Sequence, residues 1–215
     1  MAKRYVYRAV EHAPYVEPCE VEFTWNGGFS LAQKRRNITA IHKGYAVLHP
    51  DEKVLEISSK SAQENGEALS AFFLLKYVPS LGRSIPVENV FQGGKVFQNG
   101  GPYTSLYECT PLEAKRSELL KESGPLIGFR FEGRDFPLEP KTVFYDVIYL
   151  NALLENPALA KTVLEYDGFT DIEFNPQKSL NCQAKAAALF VALNRLGLRD
   201  SISDFDTFLS LLKGC

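Results

Sequence analysis

The hydrophobic pattern of the first fifty residues predicts two strands followed by a helix. Residues 4–10 (RYVYRAV) and 20–25 (EVEFTW) are rich in β-branched and aromatic residues with partial alternation, which is typical of short strands. Apolar residues then recur at near-helical spacing, and Ser30 and Gln33 form an S-x-x-Q capping box. Residues 31–46 should therefore form a helix.

The pattern after residue 52 predicts a third strand from Lys53, a loop-like stretch around Asn65 and Gly66, and then mostly helices. The start and stop signals delimit one helix from the capping box Thr110-Pro111-Glu113 to Gly124, one from Pro140 to about Glu155, one from Asn156-Pro157 to near Gly168, one over 182–196 ending at Gly197, and one capped by Ser203 and Asp206. Tyr145 and Tyr149 fit the core or its rim. Many helices around a small sheet indicate the α+β class.

Residues 86–103 (PVENVFQGGKVFQNGGPY) combine an amphipathic helical pattern with a glycine pair. On a helix, the polar residues Glu88, Gln92, Lys95 and Asn99 fall within about a 60° arc. Gly93 and Gly94 in mid-helix would each cost roughly 1 kcal/mol relative to alanine, which indicates close approach of another backbone or a ligand. The backbone N–H groups of Gly100 and Gly101 could cradle a phosphate, with Tyr103 available for stacking. A solvated helix face followed by a turn is the simpler interpretation of the same pattern.

Composition and charge narrow the class of protein. The chain has 215 residues and a formal charge of −2, so a polyanionic partner would need a local basic patch. Cys19, Cys109, Cys182 and Cys215 are far apart and lack metal-type spacing, which favours free thiols in a reducing compartment. We see no apolar run of signal-peptide or membrane-span type and therefore expect a cytoplasmic protein. The histidines suggest neither a catalytic triad nor a metal site.

IPVENVFQGGKVF (85–97) resembles the signature helix of the NADAR superfamily, in which Val/Ser-Glu, an aromatic and Gln-x-x-Lys recur in that order. Four further segments resemble the family in sequence order: SSKSAQENGEALSAFF (58–73), PLEAKRSELL (111–120), LLENPALAKTVLEYDGFTDIEF (153–174) and NCQAKAAALFVAL (181–193). The resemblance covers roughly residues 53–196. It implies a mainly helical domain over 53–215 around a small sheet, with residues 1–52 as a strand/helix extension packed on it.

The chain departs from the family where Asp and Trp-Gly commonly follow the final strand, because residues 175–181 read NPQKSLN and the only tryptophan is Trp25. With this departure and the N-terminal extension, the chain resembles the subgroup encoded beside DarT-type ADP-ribosyltransferase toxins more than the members of the riboflavin pathway. The resemblance implies an N-glycosidase that removes ADP-ribose from guanine in DNA or RNA, with the toxin as functional partner and no cofactor, metal or membrane. The alternatives are a small-metabolite N-glycosidase and a non-catalytic protein that binds ADP-ribose or the toxin.

The resemblance also implies site residues. The catalytic candidates are Glu88, Glu173 and Lys95; the ligand-binding candidates are Ser58, Ser59, Ser61, Gly66, Phe72, Gln92, Gly100, Gly101, Tyr103, Asp171 and Asn181. Glu173 ends the predicted strand DIEF (171–174), shares a face with Asp171, and is equally well interpreted as a solvated strand-end charge. Phe72 also fits a core position, and Asn181 an N-cap.

A nucleic-acid substrate would also require phosphate contacts. Lys34, Arg35 and Arg36 on the first helix, with Lys115-Arg116 and Lys178, could form a basic patch. Such runs are commonly just solvated faces.

Overall fold

The computed structural model describes residues 1–175 and 181–213, which form two compact units. The first unit combines Met1–Ser70 with the chain from Pro157 onward, and the second is Ala71–Asn156. The described residues combine helices with three small sheets, so the prediction of an α+β fold is confirmed. The division between residues 1–52 and 53–215 stays a prediction.

The elements are numbered in chain order. The strands are β1 (Ala2–Ala9), β2 (Val16–Phe23), β3 (Val54–Glu56), β4 (Leu75–Val78), β5 (Arg83–Pro86), β6 (Lys95–Phe97), β7 (Leu126–Phe131), β8 (Arg134–Phe136) and β9 (Gly168–Thr170). The helices are α1 (Leu31–Leu48), α2 (Glu64–Ala68), α3 (Val87–Gly93), α4 (Pro111–Arg116), α5 (Leu119–Glu122), α6 (Val143–Glu155), α7 (Pro157–Val163), α8 (Gln183–Arg195) and α9 (Phe205–Lys213). Short 3-10 turns occupy Pro79–Leu81, Thr104–Glu108 and Arg199–Ile202.

The sheet of the first unit has the strand order β2-β1-β9-β3. β1 and β2 pair antiparallel along their whole length, and β9 runs antiparallel to β1 and parallel to β3. β2 begins four residues earlier than predicted because Val16 pairs with Ala9. Pro18 is tolerated within β2 because this strand lies at the edge of the sheet, where a missing N–H breaks no ladder.

Helix α1 confirms the prediction from the capping box. The Ser30 side chain accepts from the Gln33 backbone N–H, and the Gln33 side chain accepts from the backbone N–H of Ser30. The apolar face of α1 carries Ile38, Ile41 and Tyr45, which are buried in one cluster with side chains of β1 and β2. Burial of this stripe fixes α1 against the sheet.

The second unit contains a β4-β5 hairpin and a β6-β7-β8 sheet, neither of which was predicted. These strands have only three to six residues, and polar and apolar residues do not alternate completely along their sequences. The period-two pattern that predicts a strand is therefore weak. Aromatic rings fill the core beside them, with Phe129 and Phe144 stacked at a centroid distance of 4.6 Å. Tyr145 and Tyr149 are buried, which confirms their core assignment.

Two predicted helices end early. The helix that starts at the Thr110 capping box ends at Arg116, and the separate α5 precedes Gly124, whose φ is +79°. α7 ends at Val163 rather than near Gly168, because Gly168 is the first residue of β9. Strand pairing with β1 and β3 therefore overrides the helical pattern there.

Three further predictions, one of a loop and two of helix starts, are also wrong. Residues around Asn65 and Gly66 form α2 instead of a loop, and α6 begins at Val143, three residues after Pro140. The cap of α9 is Asp204, whose Oδ1 accepts from Thr207 N at 2.7 Å, in place of the Ser203 and Asp206 pair. α8 confirms the predicted buried helix, and Gly197 follows it with φ +70°.

The described cysteines Cys19, Cys109 and Cys182 are free thiols, as predicted, and Cys215 lies outside the described residues. Within residues 1–175 and 181–213, no helix combines the length and apolar character that crossing a membrane requires.

Candidate active site

Helix α3 is shorter than its polar stripe suggested. It ends at Gly93, and Lys95 begins strand β6, so the predicted mid-helix position of the two glycines is wrong. The close approach that the glycines indicated is confirmed, because Tyr103 N donates to Gly93 O and Arg130 N to Gly94 O, both at 2.7 Å. A Cβ on Gly94 would lie 2.7 Å from the Phe144 ring, so a side chain there would displace the core.

Glu88 lies in the first turn of α3 and is only 6% exposed. Its Oε1 accepts from Gln92 Nε2 at 2.8 Å, and Lys115 Nζ lies 3.8 Å from the same oxygen. All seven residues of α3 are buried, so the interpretation of this segment as a solvated helix face is wrong. Burial of a carboxylate is costly unless hydrogen bonds and opposite charges compensate, as Gln92 and Lys115 do here.

Lys95 joins Glu88 through Gln92, although it is a strand residue. Its Nζ donates to Gln92 Oε1 at 2.6 Å and lies 4.8 Å from the centroid of the Phe91 ring. Burial lowers the pKa of Lys95 to about 8, while the charge of Glu88 acts in the opposite direction. The ammonium and the neutral amine of Lys95 are therefore both populated in mildly alkaline solution. Asn99 lies beyond β6 and is exposed, so its predicted place on the same helix face is wrong.

Lys115 and Phe72 complete this group of side chains, which we call the Glu88 cluster: Glu88, Gln92, Lys95, Lys115 and Phe72. The ammonium of Lys115 lies 5.4 Å from the centroid of the Phe72 ring, and Phe72 is partly exposed. Lys115 was expected only in a basic patch. Helix α4 brings Lys115 to the Glu88 cluster, because the Thr110 capping box fixes where that helix begins.

The loop of residues 99–103, which we call the glycine loop, packs against the backbone of Lys95 and the ring of Tyr103. Gly101 has φ +88°, and a Cβ on it would lie 2.3 Å from Lys95 O. A Cβ on Gly100 would lie 2.2 Å from the hydroxyl of Tyr103, which hydrogen-bonds to Ser123 Oγ. Close packing therefore requires both glycines, and the predicted cradling of a phosphate by this loop stays a prediction.

Asn89 is a structural residue that sequence analysis missed. It is fully buried, and its Nδ2 donates to Leu106 O and Cys109 O, both at 2.8 Å. These bonds fix the segment before α4, and so the start of the helix that carries Lys115. The signal in the sequence that could have identified it was a polar residue among the apolar positions of the predicted helix.

A second polar group, in the first unit, centres on Glu56, which sequence analysis also missed. Glu56 is 2% exposed and accepts from Thr170 Oγ1 at 2.6 Å and from Ile172 N at 2.8 Å. His42 Nε2 lies 2.9 Å from the same threonine hydroxyl. Burial raises the pKa of Glu56, and its hydrogen bonds counteract that effect. These contacts fix the chain where β9 ends.

The predicted strand DIEF is wrong, because β9 ends at Thr170 and the residues after Asp171 form a turn. The two acidic residues still meet, since Glu173 N donates to Asp171 Oδ1 at 2.9 Å. Gln183 Nε2 donates to Asp171 Oδ2 at 3.0 Å. Burial, reinforced by the charge of Glu56, raises the pKa of Asp171. Glu173 is exposed and forms an ion pair with Lys34, and its catalytic role stays a prediction.

The remaining ligand-binding candidates of the first unit lie in and around the segment before α2. Ser58 and Ser61 are buried and cap local turns, accepting from Lys60 N at 3.1 Å and Gln63 N at 3.2 Å. A Cβ on Gly66 would lie 2.2 Å from Glu56 O, which explains the glycine by packing. Ser59 and Asn181 are partly exposed, and Cys182, rather than Asn181, occupies the N-cap position of α8.

The basic residues of α1 differ in their contacts. Lys34 pairs with Glu173, and Arg35 Nη2 donates to Ser61 O at 3.1 Å. Arg36 is exposed. Lys178 lies outside the described residues, so its predicted contribution to a patch stays a prediction.

A family model described as DarT1-associated NADAR antitoxin matches residues 2–214. No curated protein matches the chain. The matched range includes the first fifty residues, which the resemblance in the sequence analysis did not cover.

Proposed function

Because the chain belongs to the family of DarT1-associated NADAR antitoxins, we propose that it hydrolyses ADP-ribose from guanine in nucleic acid. In this way it would reverse the modification made by its toxin. The observation that carries the proposal is the burial of Glu88, with Gln92 and Lys115 at its carboxylate and Lys95 bound to Gln92.

Cleavage of the bond between C1″ of the ribose and a guanine nitrogen makes three demands. The leaving nitrogen needs a proton, the oxocarbenium-like ribose needs negative charge nearby, and water must reach C1″. A single carboxyl can meet them in turn. The Glu88 carboxylate stabilises the ribose cation, accepts a proton from the water that adds hydroxide to C1″, and passes that proton to the guanine nitrogen that leaves.

The neighbours of Glu88 have supporting roles in this proposal. Gln92 bridges Glu88 and Lys95 and thereby fixes the direction of the carboxylate. Lys95 and Lys115 supply ammonium groups for the ribose hydroxyls and the pyrophosphate of ADP-ribose. Phe72 offers a partly exposed ring for stacking on a purine, beside the ammonium of Lys115.

The first test is release of ADP-ribose from an oligonucleotide that carries ADP-ribosylated guanine. We expect Glu88→Gln to lower the single-turnover rate by about 10²- to 10⁴-fold, the usual contribution of a general acid or base. Glu122→Gln, at an exposed position in α5, is the matched control and should keep the wild-type rate.

The outcomes discriminate among the classes of protein considered. A wild-type rate in a folded Glu88→Gln variant contradicts the assignment of Glu88. Release only from a ribosylaminopyrimidine phosphate identifies a small-metabolite glycosidase. Binding of ADP-ribosylated oligonucleotide without turnover by the wild-type protein identifies a non-catalytic binder.

A further inference from the structure

A thiol, an imidazole and a carboxylate lie in a row in the first unit, and none of the three belongs to the Glu88 cluster. Cys19 Sγ is 3.7 Å from His49 Nε2, and His49 Nδ1 is 3.6 Å from Glu52 Oε1. The first distance is that of a hydrogen bond to sulfur, and the second is that of an ion pair. We call these three residues the Cys19 triad. A nucleophile, a base and a group that orients the base are the parts that activate thiols and hydroxyls in enzymes.

Three separate segments of the first unit bring these side chains together. Cys19 lies on β2, the edge strand of the sheet, opposite Val6 of β1. Helix α1 packs on this sheet through its apolar stripe and ends at Leu48, so His49 is its C-terminal cap. Glu52 follows in the turn before β3, where its N–H donates to His49 O at 3.3 Å. The triad therefore lies at the rim of the core, where Cys19 is partly exposed.

Glu52 is fixed by bonds to two other side chains. Its Oε2 accepts from Arg8 Nε at 3.0 Å and from the hydroxyl of Tyr45, and its Oε1 accepts from a terminal nitrogen of Arg8. The hydrogen bonds from Arg8 hold the pKa of Glu52 below its usual range. Glu52 is therefore a carboxylate at neutral pH, and these bonds keep it beside His49.

The position of Glu52 determines which nitrogen of His49 can accept a proton. A carboxylate beside Nδ1 favours the tautomer that carries its hydrogen on that atom. Nε2 then has the lone pair, and Nε2 is the nitrogen that faces Cys19 Sγ. The ring of Tyr45, whose centroid is 4.9 Å from that of His49, supports the imidazole from one side. Because the carboxylate and the thiol contact different nitrogens of one ring, the arrangement suits transfer of a proton.

Cys19 needs a base because its thiol does not ionise readily by itself. Burial raises the pKa of Cys19, and the positive charge of Arg8 offsets only part of that effect. The thiolate is nevertheless the form of cysteine that attacks electrophiles. Transfer of the proton to His49 supplies that form, and the imidazolium produced lies between the thiolate and the Glu52 carboxylate, which both stabilise it.

We propose that Cys19 is a modification site that reacts with small disulfides, with His49 as its base. His49 Nε2 takes the proton of Cys19, and the thiolate attacks one sulfur of the reagent, whose S–S bond breaks. Cys19 and that sulfur form a mixed disulfide, while the other half of the reagent leaves as a thiolate and takes the proton from His49. Cys19 is oxidised and the leaving half is reduced, so an excess of small thiol reverses the modification. This assignment does not depend on the proposed function.

The test measures how fast each cysteine reacts with glutathione disulfide at pH 7. Samples are blocked with N-ethylmaleimide at timed intervals, and mass spectrometry of the peptides gives the modified fraction at each position. Cys109 is the internal reference, because it is also partly exposed but its Sγ donates to Ser105 O, a carbonyl that cannot act as a base. We expect Cys19 to react at least about tenfold faster than Cys109.

His49→Gln tests the base directly. It should slow the reaction of Cys19 by at least about tenfold, less than the usual 10²- to 10⁴-fold because water can accept the proton of a partly exposed thiol. His12→Gln, at an exposed histidine between β1 and β2, is the matched control and should keep the wild-type rate. Cys182 is 3% exposed and should stay unmodified in every variant, which shows that the core is intact.

Equal rates at Cys19 and Cys109 in the wild type overturn the proposal, as does a wild-type rate at Cys19 in a folded His49→Gln variant. If Cys182 becomes reactive in that variant, the substitution has loosened the core, and the ratio of the rates at Cys19 and Cys109 in the wild type decides. Release of ADP-ribose is a separate measurement, so failure of the proposed function leaves this assignment unchanged.

Discussion

The side chain of Lys95 has a charge that changes within an accessible pH range. Its ammonium is buried, donates to Gln92 and feels the negative charge of Glu88. Burial favours the neutral amine, whereas the carboxylate favours the ammonium, and the balance puts its pKa at about 8. The Glu88 cluster therefore carries more positive charge at pH 7 than at pH 9.

The first prediction concerns the binding of ADP-ribose as a function of pH. Affinity should fall as the pH rises through about 8, because the ammonium of Lys95 that attracts the pyrophosphate loses its proton. Isothermal titration calorimetry between pH 6.5 and 9.5 measures this change. Lys95→Gln should abolish the dependence, and Lys121→Gln, at an exposed lysine of α5, should keep it. A wild-type profile in Lys95→Gln would show that another group titrates.

Glu88→Gln should shift the midpoint of the dependence of ADP-ribose affinity on pH. The charge of Glu88 raises the pKa of Lys95, so its removal should move the midpoint to lower pH. A midpoint that stays in place would mean that Lys95 does not sense Glu88.

At the scale of elements, the sequence predicted correctly those helix starts that depend on residues close together in the chain. The Ser30 and Thr110 capping boxes set the starts of α1 and α4 as expected, since their bonds close within four residues. The lengths of α3 and α7 were wrong because pairing with distant strands ends those helices. The helical pattern and the resemblance to a family both singled out Glu88, Gln92 and Lys95, whereas neither singled out Glu56. The partners that explain its burial lie more than a hundred residues away.

The glycine loop provides a prediction at this scale. Gly101→Ala should destabilise the protein by more than Gly82→Ala, although both residues have positive φ, +88° and +62°. The backbone cost at Gly82 is about 1 kcal/mol, and no atom crowds a Cβ there. At Gly101 a Cβ would also collide with Lys95 O, so the loop or β6 must shift.

Urea unfolding of both variants measures the difference, and release of ADP-ribose reports whether Lys95 has moved. Gly82→Ala should keep its activity, because it lies in another turn of the second unit. Equal losses of stability would show that the contact with Lys95 O relaxes without cost.

At the scale of the whole molecule, a net charge of −2 requires any attraction for nucleic acid to be local. Of the three basic residues predicted for this role on α1, Lys34 and Arg35 have partners on the protein, whereas Arg36 is exposed. A charge reversal across all three would also release Glu173 and so mix two effects. Arg36 alone is therefore the better probe.

We predict that Arg36→Glu slows release of ADP-ribose from a modified oligonucleotide several-fold more than from a modified mononucleotide. The reason is that only the oligonucleotide has additional phosphates, to which a basic side chain of the protein can bind. Lys161→Glu, at an exposed position of α7, controls for the change in net charge. Equal effects of Arg36→Glu on both substrates would exclude a role in holding the polymer.

The central position of β1 in its sheet has a consequence for how this protein can vary. With β2 on one side and β9 on the other, the first nine residues separate an outer hairpin strand from the interior of the sheet. A homologue without these two strands would present β9 as an unprotected edge, open to pairing with other chains. Such a homologue must cover that edge with a different segment. We therefore expect homologues with a shortened amino terminus to have insertions or extensions elsewhere in the chain.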